Sequence, residues 1–266
     1  MGMHVIVPIK PVPDISRVRF DIKRGVIDRS SSLLEINPLD LHALEVALQI
    51  KDNIGGKVTV IAMAPPHGDR ALRDALARGA DRAILLSDIK FAGADTLATS
   101  YTLASAIRKL APFDLIICGE KTIDGDTGQV GPEIAEHLGI PHVAYVISVK
   151  NIDKNKIVVT SDLGDLYCEF EITLPALLTV TKDVNTPRQP KLKDLLKARK
   201  AKIEIWNAES LSNIADIDKL GLKGSPTRVV KIEFPKDTNK RKGVIFSGSD
   251  SVEKLIEVLK LEGIIR

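Results

Sequence analysis

Along this chain, short apolar runs alternate with longer stretches in which apolar positions recur at helical spacing. His4–Pro8, Val58–Ala62, Ala83–Leu86 and Leu115–Cys118 are nearly continuous in aliphatic residues, and each is followed by an amphipathic pattern. Strands buried on both faces read this way, and their alternation with helices builds βαβ units around a parallel sheet. The helices carry their own punctuation. Asn37 followed by Pro38 marks an N-cap and a first turn, Leu41, Leu44, Val46, Ala47 and Ile50 supply an apolar face, and Gly55-Gly56 ends it. A second helix opens at Gly68 or Asp69 and stops at Gly79. A third, Thr96–Leu110, is capped by Asp95 and ended by Pro112.

From Pro141 the texture changes. Val143–Val149, Lys156–Ser161, Leu166–Ile172 and Ala176–Val180 read as consecutive strands with little helix between them, a β-rich addition to the sheet. Beyond Thr186 the chain turns Pro-rich and basic, then polar through residues 207 to 228, with one more strand expected at Val229–Phe234 and a closing helix at Ser251–Leu261. The expected fold is therefore α/β: a Rossmann-like open, mainly parallel sheet with helices on both faces, a β-rich extension and a C-terminal arm. Residues 1–185 form the expected compact α/β domain, and 186–266 an extended segment and arm.

Composition narrows the class. With 44% hydrophobic and 27% charged residues over 266 positions the chain reads as globular with a sizeable core. A net charge of +3, from 38 basic and 35 acidic residues, is too balanced to point to nucleic acid. Cys118 and Cys168 stand far apart, outside any CxxC or zinc-like spacing, which suits a reducing compartment. The first strand begins almost at Met1 and no apolar run is long enough to span a bilayer, so the reading places the chain in the cytoplasm, in a prokaryote rather than an organelle, without membrane insertion.

Familiar chemical signatures are missing. No GxxxxGK[ST] loop occurs, and the turn after the first strand is Pro8-Ile9-Lys10-Pro11-Val12-Pro13 rather than GxGxxG. His4, His42, His67, His137 and His142 share no ligand spacing, so no metal site is assigned, and no Ser-His-Asp or Cys-His arrangement is legible. What remains is "DGDTGQVGP", residues 124–132, between the run ending at Cys118 and a helix-like stretch. Gly125, Gly128 and Gly131 let backbone amides approach a ligand, and the following helix offers unpaired N–H groups to a phosphate. Asp124 and Asp126 oppose that, since a carboxylate repels phosphate unless it caps amides or holds a ribose hydroxyl. From chemistry alone the loop is either a nucleotide cradle or a plain strand-to-helix turn. Three other loops, Pro8–Asp14, Met63–Asp69 and Ser87–Thr96, fall at strand ends on the same expected edge, where open α/β sheets bind ligands. The basic run from Lys191 to Lys202 is either a solvated helix face or, because Leu192, Leu195 and Leu196 lie among lysines such as Lys197, a docking element with apolar anchors and charge steering.

Taken together, "VIVPIKPVPD", "INPLDLHALEVALQIK", "VIAMAPP" with "ALRDALARGADRAILLSD", "ICGEKTIDGDTGQVGPEIAEHLGIP", "LPALLTVTKDVNTPR", "LLKARKAKIE" and the late "SPTRVV" resemble the β subunit of electron-transfer flavoprotein, a family that includes the FixA proteins, in family order through most of the chain. The resemblance implies a subunit that pairs with a flavin-carrying α subunit in a heterodimer and contributes an adenine-nucleotide site. Its contacts are expected from Pro8, from Asn37, Pro38, Leu39 and Asp40, from Met63, and from Asp124, Gly125, Asp126, Thr127, Gly128, Gln129, Val130, Gly131, Pro132 and Ala135. In some members that site holds AMP as a structural ligand, in a carrier between dehydrogenases and a quinone reductase. In electron-bifurcating members it holds FAD, reduced by NADH.

Gly125 stands where AMP-binding relatives tend to carry a third acidic residue, and "FAGADTLATSYTLA" also looks like the bifurcating group, bringing Gly93, Asp95 and Thr96 toward the flavin or NADH. The implied function is an electron-transfer subunit of an NADH-oxidising complex. It would send one electron to ferredoxin or flavodoxin and one through the α-subunit FAD to a higher-potential acceptor reached through a dehydrogenase or quinone oxidoreductase. No residue is assigned a catalytic proton transfer. Arg73, Arg78 and Arg82 offer either charge for the flavin or phosphate, or an ordinary solvated helix. The family's docking leucine maps onto Leu192, with Leu195 and Lys197 in the same segment, although Gln189 and Lys193 depart from frequent family residues. A nucleotide-binding regulatory protein without redox function is the reading from another class.

Overall fold

The computed structural model describes residues 2–13, 19–21, 26–28, 34–228, 230 and 243–265. Its centre is a nine-stranded sheet in the order β11-β10-β9-β12-β8-β1-β6-β7-β13. The strands are β1 (Met3–Pro8), β6 (Gly56–Met63), β7 (Arg82–Leu86), β8 (Leu115–Gly119), β9 (His142–Ile152), β10 (Lys156–Asp162), β11 (Tyr167–Thr173), β12 (Ala176–Val180) and β13 (Glu204–Trp206). Neighbours from β9 across to β13 run parallel, and β10 is antiparallel to both β9 and β11. Short antiparallel pairs join β2 (Pro11–Pro13) to β5 (Leu34–Ile36) and β3 (Arg19–Asp21) to β4 (Val26–Asp28).

The sheet is covered on both sides. Helices α1 (Pro38–Ile54) and α2 (Asp69–Arg78) pack Leu44, Leu48 and Leu72 on Val5, Val7, Val58 and Val60. On the opposite face α3 (Thr96–Lys109) and α4 (Val130–Leu138) pack Leu103, Ile107 and Ile134 on Ile6, Ile61 and Ile84. Consecutive residues of one strand thus feed two cores, which is why these strands read as unbroken apolar runs. The doubly covered, mainly parallel sheet with its β-rich extension is the fold expected from the sequence.

The chain separates into a compact unit ending at Arg228 and a second from Val229 to Arg266. The first unit takes in β13, which pairs Ile205 with Leu85 at the sheet edge, and α5 (Leu192–Arg199), which lies against α2. Asn37 occupies the N-cap position of α1 but leaves the helix amides alone, because its side chain is drawn across to the loop after β8. Within the second unit the helix α6 (Ser251–Leu261) stands where the closing helix was expected. The strand expected at Val229–Phe234 lies outside the described residues apart from Val230.

Candidate functional site

Parallel strands deliver their C-terminal ends to one edge, and the loops after β1, β6, β7 and β8 meet there around a cleft of about 400 Å³. That volume is within the range of small-molecule sites, ~300–1,000 Å³. Close packing behind the cleft depends on glycine at two places. A Cβ on Gly119 would stand 2.5 Å from Asp40 Oδ1 and 2.8 Å from the Leu39 carbonyl carbon, and one on Gly131 would stand 2.5 Å from Thr179 Cγ2. Gly119 therefore lets the end of β8 touch the head of α1, and Gly131 lets the start of α4 lie on β12.

Asp40 is the buried hinge of this arrangement. Its carboxylate accepts the Lys10 amide at 2.7 Å, joining the β1 loop to α1. Burial pushes its carboxyl up to about 7, against the hydrogen bonds from Lys10, Asn37 and Gly119 that favour the anion. Beside it the Cys118 thiol is held up by burial and by the Asp40 charge, so it is a neutral thiol and no nucleophile. Asn37, completely buried, donates from Nδ2 to Lys121 O at 3.0 Å and accepts the Ile123 amide on Oδ1 at 3.1 Å, which fixes where the glycine loop departs.

The aspartates that argued against phosphate are neutralised by lysines. Asp124 meets Lys10 Nζ at 2.7 Å and Asp126 meets Lys121 Nζ at 2.9 Å. Burial raises the Asp124 carboxyl, but hydrogen bonds from Lys10 and Thr122 and the Lys10 charge outweigh it and hold the group below the usual range. Asp126 itself takes the left-handed conformation (φ 52°), as does Gly128 (φ 66°). The turn leads the chain into α4, whose first residues line the cleft together with those of α3. Asp95 caps α3 by accepting the Ala98 amide at 3.1 Å, and Thr96 Oγ1 lies 3.2 Å from Gln129 Oε1 and from Glu133 Oε1, tying the two helix starts together.

Of the residues singled out in the sequence, Pro8, Asp40, Met63, Gly93, Asp95, Thr96, Gly125, Thr127, Gly128, Gln129, Val130 and Gly131 line the cleft. Asn37, Pro38, Leu39, Asp124, Asp126, Pro132 and Ala135 do not line it: Asn37, Pro38 and Leu39 lie at the start of α1, Pro132 and Ala135 in α4, and Asp124 and Asp126 are exposed on the loop, paired with Lys10 and Lys121. Lys10, Phe91, Cys118 and Lys121 also line the cleft and were not anticipated, although Lys10 directly follows a strand end and Lys121 sits inside the glycine loop, where a charge near phosphate is worth noting. The three arginines turn elsewhere. Arg73 donates to the carbonyls of Ala198, Arg199 and Ala201, Arg78 to Arg188 O and Asp74, and Arg82 to Glu204, so they bind the 186–206 segment to the sheet. On α5, Leu192 (73% exposed), Leu195 and Leu196 remain open to solvent while Ala198 is buried.

A ligand cleft at the C-terminal edge of a doubly covered parallel sheet, floored by a glycine-rich loop and two helix N-termini, defines an α/β nucleotide-binding protein. The electron transfer flavoprotein domain matches residues 24–211. The chain is 45% identical over 266 residues to the electron transfer flavoprotein subunit beta of Thermoanaerobacterium thermosaccharolyticum, covering 99% of this chain and 100% of that one. It is 47% identical over 231 residues to the subunit of the same name from Clostridium acetobutylicum, covering 86% and 87%. To Protein FixA of Bradyrhizobium diazoefficiens it is 42% identical over 265 residues, covering 97% and 92%. The chain belongs to the electron transfer flavoprotein β-subunit and FixA family. With the family come an electron-transfer role, an α-subunit partner, redox partners and a flavin or nucleotide ligand. Among the described residues no helix is long and apolar enough to cross a membrane.

Proposed function

We propose that the cleft holds FAD and that the chain, paired with its α subunit, takes electrons from NADH and divides them between a low-potential acceptor, ferredoxin or flavodoxin, and the α-subunit FAD, which serves a higher-potential dehydrogenase or quinone oxidoreductase. The observation carrying this reading is the wall at Gly125. A Cβ there would lie 4.0 Å from Lys10 Nζ, with nothing closer than Thr122 Oγ1 at 3.5 Å. A carboxylate at this position would add a second anion to the Lys10–Asp124 pair and turn the loop negative. Glycine leaves the loop balanced, so a pyrophosphate meets the amides of α3 and α4 without that repulsion.

The residues fit such a group. Main-chain amides from Thr127 to Gly131 and the first turn of α3 would receive phosphate oxygens, and Met63, Phe91 and Leu103 give an apolar surface. When bound, FAD supplies hydride acceptance and single-electron release, and the protein supplies binding, orientation and exclusion of water.

The test is nucleotide content. The chain is co-expressed with its α partner, ligands are released by denaturation, and FAD and AMP are quantified by mass spectrometry, for the wild type and for Gly125→Asp. FAD at twice the heterodimer concentration without AMP, falling toward one equivalent in Gly125→Asp, is the expected result. One FAD with one AMP in the wild type makes this subunit an AMP-holding carrier and removes the NADH and bifurcation claims.

A further inference from the structure

The stretch Gly221–Arg228 closes the compact unit and is fastened to the cleft wall. Leu222 N donates to Ala92 O at 3.0 Å, and a Cβ on Gly221 would stand 2.1 Å from Lys90 O, so the two backbones touch because residue 221 has no side chain. Ser225 is buried, its hydroxyl accepting the Asp95 amide at 2.9 Å and donating to Gly221 O at 2.8 Å. Asp95 completes the clasp: Oδ2 accepts Thr227 N at 3.2 Å and Thr227 Oγ1 at 2.8 Å, while Oδ1 keeps the Ala98 amide at the start of α3. One carboxylate thus bridges the helix N-terminus facing the cleft and the chain that runs directly on, through Arg228, into the C-terminal unit. Gly93, Ala94, Asp95 and Thr96 are all cleft wall.

We propose that Asp95 is a positioning residue for the nucleotide cleft: through Ser225 and Thr227 it holds the wall from Gly93 to Thr96 in place and makes nucleotide retention depend on the chain leading out of the compact unit. The inference rests on the nucleotide reading above. Three hydrogen bonds keep the carboxylate turned toward α3 and Thr227; released from Thr227, it is free to swing over the amides that would receive phosphate and to compete for them.

The experiment uses the full-length chain co-expressed with its α subunit and two readouts, the rate at which adenine nucleotide leaves the heterodimer and hydrogen exchange of the amides from residue 92 to 98. Thr227→Val removes the hydroxyl without changing shape, and Thr227→Ser restores it. Loss of one hydrogen bond to a charged acceptor corresponds to about a tenfold change, so Thr227→Val is expected to release nucleotide about tenfold faster and to exchange faster over 92–98, with Thr227→Ser close to the wild type in both. Asp95→Asn keeps one acceptor for Ala98 N but gives up the acceptor of both Thr227 donors, so its release is expected to be at least as fast as that of Thr227→Val, and combining the two adds little. Release from Thr227→Val at the wild-type rate overturns the proposal, whatever its exchange. A wild-type heterodimer with no adenine nucleotide refutes the nucleotide reading instead, and the clasp is then decided by exchange alone: faster exchange in Thr227→Val upholds it as the support of the wall, and unchanged exchange overturns it.

Discussion

The buried carboxyl of Asp40 makes this fold sensitive to pH. Asp40 titrates near 7 in the folded chain against an ordinary value of 3.8, because burial outweighs its hydrogen bonds. The folded state therefore binds this proton more tightly than the unfolded state. Its stabilising contribution is complete below about 3.8 and is lost as the pH rises toward about 7, levelling off above. Asp40→Asn removes the linkage. The unfolding free energy of the variant, relative to the wild type, is expected to grow by on the order of a few kcal/mol between pH 4 and 7 and then stay constant; denaturant titrations at a series of pH values check it, and a pH-independent offset would refute it. The sequence marked Asp40 as part of the site but not as buried, because its burial comes from Gly119, which is remote in sequence and lets β8 close over it. For the same reason Lys10 and Lys121 went unread. Asp124 and Asp126 looked like obstacles until the turn after β8 brought each to a lysine.

Among the elements, those with strong periodicity and their own stop signals were legible nearly to the residue: α1 between Asn37 and Gly55, α2 up to Gly79, α3 behind Asp95. β13 was not, since three residues in a lysine-rich stretch carry no periodicity and become a strand only because β7 offers an open edge. α5 lies between these cases. Its leucines were noticed as anchors without a partner, and the structure leaves Leu192 exposed while Arg73 grips the carbonyls at the C-terminal end of the helix. Leu192→Ala is expected to leave stability within ~0.5 kcal/mol and bound nucleotide unchanged, and to slow electron transfer to a redox partner by about fivefold or more, the effect of removing an anchor worth over ~1 kcal/mol. Stopped-flow reduction of the partner measures it; an unchanged rate would remove α5 from the docking surface.

At the scale of the whole molecule, the described residues of the second unit centre on one helix, α6. α6 exposes Val252, Leu255, Ile256, Val258 and Leu261, more contiguous apolar surface than an isolated helix keeps in water at no cost. The chain expressed alone is expected to bind a hydrophobic dye and to self-associate on size-exclusion chromatography, and co-expression with the α subunit to abolish both; a monodisperse, dye-free single chain would place the α subunit elsewhere. The sheet order has a different consequence, for how the chain folds. β1 sits between β6 and β8, with Val5 opposite both Val58 and Leu115. β6 can pair with β1 on one side first, but the other side stays open until β8, much further along the chain, arrives. This is a high-contact-order centre, and pairings of this kind form slowly and leave an apolar strand edge exposed on the way.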